Sequence, residues 1–226
     1  MKKRVDVESF ADFIIAQAFY GNRDSGNAKF YRSSETDNKW RWILYDLDYG
    51  MTEDYGYSLW FMIDPEGTGY AHKYNTKLIN GLLRSPEFFD MFLRRFSYHL
   101  DNTFQADLVC EKVDSFRDLI GDEIRRNIDK WGNSYNSWDW QTKVIKYFVT
   151  DKNDSGLTRK DQLISEIKKL FLLTDTAVEY YFYMTDDQRA EFDLAAELGL
   201  IENVEDIFAY SHPADRIETE GEINEA

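Results

Sequence analysis

Three carboxylates and one amide lie at the two ends of a short stretch of this chain. Asp24 and Asn27 precede the first of two strand-like segments, and Asp46 and Asp48 follow the second. Oxygen ligands of this kind suit a hard divalent cation such as Mg²⁺ or Mn²⁺. Asp and Asn are also common loop formers that cap or turn the chain. The residue types alone therefore leave a metal site and a structural role both open.

A predicted β-hairpin brings these side chains together. Residues 28–33 and 39–45 are rich in aromatic and β-branched residues, and a polar turn separates them. Strands joined by a short turn pair antiparallel, so their outer ends meet in space. We therefore expect the acidic side chains and the amide to share one mouth of the hairpin. If the second strand continues, Asp46 and Asp48 face the same side and both could contribute.

Helical patterns fill most of the remaining chain. Asp6 is a predicted N-cap, and apolar residues recur at helical spacing until Gly21 and Asn22 end this first helix beside Asp24. The apolar stripes of the later helices are predicted to be packing faces. The fold class is therefore α+β and mostly α-helical, with one β-hairpin. The later helical segments are residues 76–83, 86–100, 106–130, 138–148, 158–171 and 186–199.

Three motifs in this order carry a resemblance to a known family. They are Asn22-Arg23-Asp24, Asn27-Ala28-Lys29-Phe30 and Asp46-Leu47-Asp48-Tyr49-Gly50. Together they resemble the CotH kinase family, the spore coat protein H family of atypical, protein-kinase-like phosphotransferases. The resemblance covers roughly residues 5–175. It implies the carboxyl-terminal lobe (C-lobe) of a protein-kinase-like fold, with the hairpin carrying the acidic site.

The resemblance also implies roles for the four polar residues. Asp24 matches the catalytic aspartate that orients and deprotonates the hydroxyl acceptor, and Asn27 matches a metal-binding asparagine. Asp46 matches the second metal ligand, for which Asp48 is the alternative. The implied cofactor is ATP with Mg²⁺ or Mn²⁺, and the implied substrate is a protein with Ser or Thr hydroxyls. In the intact protein, we expect Asp46→Ala to abolish phosphate incorporation and to leave thermal stability nearly unchanged.

The segment ahead of these motifs departs from an ordinary kinase. Kinases carry a glycine-rich loop and a phosphate-pairing lysine there, whereas only one predicted helix precedes Asp24. The chain thus resembles a C-lobe alone, whose partner would be an upstream amino-terminal lobe. We expect weak or no ATP binding by this chain alone. Three functions stay open: an atypical kinase module joined to such a lobe, a non-catalytic scaffold, or a metal-dependent hydrolase.

Composition narrows the partners and the compartment. A formal net charge of −15 and a pI near 4.6 argue against nucleic acid and anionic membranes as partners. No apolar run is long enough to span a membrane, and the acidic residues after Met1-Lys2-Lys3-Arg4 do not fit a signal peptide. The resemblance suggests a bacterial spore coat, cell surface or secreted context.

The chain divides into three predicted parts. Residues 1–175 are expected to form the C-lobe, and residues 176–212 a helical appendage. Residues 213–226 are dominated by acidic and small residues, with little to bury, and are expected to be a disordered tail.

Overall fold

The computed structural model describes residues 3–22, 27–51, 58–64, 73–132 and 134–215, without the side chains of Lys73 and Tyr74. Asp24 lies outside the described residues, as does the acidic end of the chain beyond Asp215. The elements in order are α1 (Val7–Tyr20), β1 (Lys29–Tyr31), β2 (Arg41–Ile43), α2 (Ser58–Ile63), α3 (Lys73–Leu83), α4 (Pro86–Asn102), α5 (Ala106–Ile120), α6 (Ile124–Trp131), α7 (Tyr135–Thr150), α8 (Arg159–Phe171), α9 (Asp175–Phe182), α10 (Asp186–Glu197) and α11 (Val204–Ile207). The described chain is therefore mostly helical, with one small antiparallel sheet, as predicted.

The hairpin is shorter than predicted. β1 and β2 pair antiparallel, with Lys29 opposite Ile43 and Tyr31 opposite Arg41. The other edge of the second strand is partly covered, because Val5 forms a parallel bridge with Trp40. The Trp40 N–H donates to the Arg4 carbonyl at 2.9 Å. The residues leading into α1 thus fix the hairpin against the helical body.

α1 runs through the centre of the helical body. The Asp6 side chain caps it by accepting from the Ser9 N–H, as predicted. From Phe10 to Phe19 nearly every side chain is buried. The helix ends at Gly21, whose φ of 63° is left-handed and favours glycine. This end leads directly to Asn22.

The core joins α1 to helices from much later in the chain. Its fully buried side chains include Phe92 and Phe96 of α4 and Phe171 of α8. Side chains of α9, among them Phe182, belong to the same cluster. α9 starts at Asp175, next to the predicted boundary between the C-lobe and the helical appendage. The division of the chain at this boundary remains a prediction.

Two predictions from the sequence were wrong for the helices after α4: their number and the burial of their apolar stripe. Residues 106–130 were predicted as one helix, but α5 ends at Ile120 and α6 starts at Ile124. Neither helix buries a residue, and Phe116 and Leu119 are 57% and 75% exposed. Their apolar stripe is therefore not a fully covered packing face. Within the described chain, no helix has the length and apolar character needed to cross a membrane.

Candidate functional site

The end of α1 is tied to the loop that leaves β2. Asn22 is buried, and its Nδ2 donates to the Gln17 Oε1 at 2.9 Å and to the Asp46 carbonyl at 3.3 Å. A buried amide that donates to the backbone across 24 residues fixes the position of that backbone. The asparagine of the Asn22-Arg23-Asp24 motif therefore holds the loop after β2 in position, a role that the sequence did not indicate.

Two of the predicted metal ligands meet at the mouth of the hairpin. The Asn27 Nδ2 lies 3.0 Å from the Asp46 Oδ2, and both residues are exposed to solvent. Antiparallel pairing causes this contact, because Lys29 opposite Ile43 brings the flanking segments together. Asn27 and Asp46 are thus adjacent in space. The predicted proximity of Asp24 to Asp46 and Asp48 concerns a residue outside the described ones.

The backbone at Asp46 differs from the extended strand assumed from the sequence. β2 ends at Ile43, and Asp46 has a φ of 58°, in the left-handed region. Strand alternation therefore does not determine which way Asp48 faces relative to Asp46. Asp48 is exposed and has no hydrogen bond or ion pair to the described residues.

The segment that leaves β2, residues 44–51, is called the exit loop. Gly50 lies where this loop approaches the end of α1. The Met51 N–H donates to the Tyr20 carbonyl at 2.7 Å. A Cβ at position 50 would lie 3.0 Å from that carbonyl oxygen and 3.1 Å from the Leu47 carbonyl oxygen. The absence of a side chain at Gly50 permits this approach. The glycine of the Asp-x-Asp-x-Gly motif thus lets the exit loop dock on the end of α1.

A cation and an aromatic ring flank the pair. The Lys29 Nζ lies 3.4 Å from the centre of the Tyr45 ring, the distance of a cation–π contact. Both residues are exposed and adjoin the loops that carry Asn27 and Asp46. A positive charge at this mouth is compatible with an anionic ligand held beside a metal ion.

The donors fit a hard divalent cation, with one adjustment. The Asp46 carboxylate supplies an oxygen ligand, but Asn27 presents its Nδ2 towards that carboxylate. Joint ligation requires the amide to turn so that Oδ1 faces the cation. Mg²⁺ keeps several waters and often takes only one or two protein oxygens, so two side chains suffice. Among the described residues, no group of three or more His, Cys, Asp or Glu side chains is placed to hold a metal.

One side of the loop borders an apolar groove. Tyr20 and Met51 form its end next to the site, and the groove continues between Phe104 and the exposed side chains of α5, including Leu108 and Phe116. Its volume is about 650 Å³. The candidate site therefore opens beside a concave apolar surface.

Two buried ionisable side chains of α8 could not be predicted from any local sequence pattern. Arg159 and Glu166 of α8 are 3% and 5% exposed, and they contact the end of α1 and the start of α2. Burial raises the pKa of the Glu166 carboxyl to about 7, although backbone N–H groups of α2 and the Arg159 charge oppose that rise. Their partners lie more than a hundred residues away in the sequence.

Comparison with known proteins identifies the family. No curated protein and no solved structure matches the chain. Residues 1–155 match the family model described as CotH kinase protein. This range contains the hairpin, both aspartates of the exit loop and Asn27. Membership suggests an atypical kinase-like function that uses a nucleotide and a divalent metal, with a protein as substrate. The chain belongs to the CotH kinase family.

Proposed function

We propose that this chain is a divalent-metal-dependent phosphotransferase module that acts with ATP on Ser or Thr hydroxyls of a protein. The observation that carries the proposal is the contact between Asn27 and Asp46 at the hairpin mouth, in a chain of the CotH kinase family. The mostly helical body behind the hairpin supports an arrangement like a kinase C-lobe.

Each polar residue has a role in this proposal. Asn27 and Asp46 hold the metal ion, with Asp48 as the alternative to Asp46, and Asp24 accepts the proton of the attacking hydroxyl. The metal, when bound, neutralises charge on the nucleotide phosphates. The chain's own contribution is to keep these groups in place and to orient the hydroxyl. Asn22 and Gly50 support that role by holding the exit loop on α1.

The decisive experiment measures Mn²⁺ binding by electron paramagnetic resonance, with and without ATP, in Asp46→Asn and Asp48→Asn. Asparagine is the better replacement because it tolerates the left-handed backbone at Asp46, whereas alanine there would add about 1 kcal/mol of strain. We therefore expect Asp46→Ala to lower the free energy of unfolding by about 1 kcal/mol, rather than to leave it unchanged. We expect Asp46→Asn to weaken Mn²⁺ binding at least tenfold.

The matched control is Asp118→Asn, an exposed aspartate on α5 without a hydrogen bond or ion pair to the described residues. It should leave Mn²⁺ affinity unchanged. Equal affinity of the wild type and Asp46→Asn would refute the assignment of Asp46. If Asp48→Asn alone abolishes binding, the metal role moves to Asp48. Phosphate transfer from ATP to Ser- and Thr-containing peptides is then measured for the variants.

A non-catalytic scaffold is the second candidate, and one observation favours it. Large apolar side chains are exposed on the hairpin and on the helices of residues 106–150, as at a protein-binding surface. They include Phe30, Phe116, Trp131 and Trp140, each at least half exposed. A scaffold requires no metal, so a wild-type chain that binds no Mn²⁺ would favour this function over the kinase.

A further inference from the structure

α8 holds the last turn of α1 through one buried guanidinium. The Arg159 Nη2 donates to the Ala18 carbonyl at 2.6 Å, and its Nε donates to the Phe19 carbonyl at 3.0 Å. The same Nη2 donates to the Ser58 Oγ at 2.7 Å. Carbonyls in the last turn of a helix lack donors within the helix and carry partial negative charge, although the Ala18 carbonyl also accepts from the Gly21 N–H at 3.2 Å. A cation placed there satisfies them and fixes the end of the helix.

Glu166, further along α8, contacts the start of α2. Whereas Arg159 donates to carbonyls, Glu166 accepts from backbone N–H groups. The Glu166 Oε1 accepts from the Trp60 N–H at 2.8 Å. The N–H groups of Ser58 and Leu59 also face this carboxylate. The first N–H groups of a helix carry partial positive charge, which an acidic group complements. α8 therefore binds the end of α1 through a donor cation and the start of α2 through an acceptor carboxyl oxygen.

These two helix ends flank the candidate site in sequence. α1 ends at Tyr20, just before Gly21 and Asn22, and α2 starts after the exit loop that carries Asp46 and Asp48. The Tyr20 carbonyl, one residue beyond the carbonyls that Arg159 binds, accepts from Met51 of that loop. A shift of the last turn of α1 would thus move both anchors of the exit loop, the Tyr20 carbonyl and Asn22.

We propose that Arg159 is a positioning residue for the candidate metal site, so that the functional unit extends into α8. This inference rests on the proposed function. Arg159 lies beyond residues 1–155, the part of the chain that matches the family model. The unit needed for metal binding is therefore longer than the matched region.

The test must separate positioning from simple stabilisation of the core. Mn²⁺ affinity is measured for Arg159→Met and Arg159→Lys at a temperature where each variant is folded. The matched control is Ile167→Ala, on the same helix and fully buried, which removes core packing without touching α1 carbonyls. We expect at least a tenfold loss of Mn²⁺ affinity in Arg159→Met, a smaller loss in Arg159→Lys, and none in Ile167→Ala.

Hydrogen exchange of the Met51 amide gives a readout that needs no metal. Arg159→Met should speed this exchange more than Ile167→Ala does at matched global stability, because Met51 donates to the Tyr20 carbonyl. Arg159→Lys serves the same comparison if the methionine variant does not fold. The inference is overturned if Mn²⁺ affinity and Met51 exchange follow global stability alone across the variants. A wild-type chain that binds no Mn²⁺ overturns the proposed function, and Met51 exchange then decides whether Arg159 fixes the loop.

Discussion

Gly50 shows how one missing side chain sets the shape of the candidate site. Its Cα lies against the end of α1, and an added Cβ would come within 3.0–3.2 Å of the Tyr20 and Leu47 carbonyl oxygens and the Tyr20 Cβ. Two of these three atoms belong to the backbone, so the exit loop itself must move to accept a side chain. The aspartates at 46 and 48 move with that loop.

We expect Gly50→Ala to lower the free energy of unfolding by about 1–3 kcal/mol, because the added methyl overpacks a backbone contact. Mn²⁺ affinity should fall as well. The control is Gly81→Ala in α3, where nothing lies within 4 Å of the added Cβ. There alanine should stabilise the helix by about 0.5–1 kcal/mol. Urea unfolding measures both variants, and a Gly50→Ala chain as stable as the wild type would contradict the close approach.

At the scale of elements, local signals predicted where several helices begin and end. Asp6 and Gly21 mark the ends of α1, and the helix predicted over residues 158–171 is found as α8. Aromatic residues and a polar turn likewise predicted the hairpin. These features depend on neighbours in sequence, so a single sequence contains the information needed to place them.

Features that depend on distant partners could not be predicted. The apolar period continues across Gly121, so nothing in the pattern separated α5 from α6 or showed that their stripe stays exposed. Arg159 reads as an ordinary helix-start residue, yet it binds carbonyls 140 and 141 positions away. Asp46 has a left-handed backbone, and its carbonyl accepts from Asn22, a partner 24 residues away. The pair Asn27 and Asp46 was predictable because strand pairing alone brings it together.

The contact between α8 and α2 makes stability depend on pH. The pKa of the Glu166 carboxyl is about 7 in the folded protein, against an ordinary value of 4.5. The folded state therefore holds this proton more tightly than the unfolded chain. The resulting stabilisation is complete below about pH 4.5 and is lost as the pH rises to about 7, with a size of about 3 kcal/mol at most.

Glu166→Gln should remove this dependence, since a glutamine Oε1 still accepts from the Trp60 N–H but does not titrate. The difference in unfolding free energy between the variant and the wild type should therefore shift in favour of the variant by up to about 3 kcal/mol between pH 4.5 and 7.5. Urea unfolding at several pH values measures the shift. A difference for Glu166→Gln that stays constant over this pH range would exclude the titration of this group.

Over the whole molecule, the segment after α9 packs back onto helices near the middle of the chain. The Tyr210 ring stacks on Phe89 with centroids 3.8 Å apart, and its hydroxyl donates to the Leu83 carbonyl at 2.8 Å. The next residue, Ser211, donates its N–H to the Phe171 carbonyl. These contacts join α3, α4 and α8 to a segment well beyond the part matched by the family model. We infer that residues 1–175, here called the body, and residues 176–212 unfold together.

This inference makes Tyr210→Ala a test of how the chain is divided. Loss of the ring should lower the free energy of unfolding by about 2–4 kcal/mol, because a half-buried aromatic contact and a hydrogen bond disappear together. Tyr210→Phe keeps the ring and should lose only about 1 kcal/mol. All six tryptophans precede residue 175, so tryptophan fluorescence reports the part of the chain before α9, and circular dichroism reports all helices.

Both signals should show one coincident transition that Tyr210→Ala moves to lower urea concentration. Tyr98→Ala, which removes an exposed ring from α4, should move it little. If Tyr210→Ala left the fluorescence transition unchanged and produced an earlier, separate loss of helical signal, residues 176–212 would be an independent appendage. In that case the body would hold the candidate site without help from the carboxyl-terminal segment, and metal binding would survive Tyr210→Ala throughout the first transition.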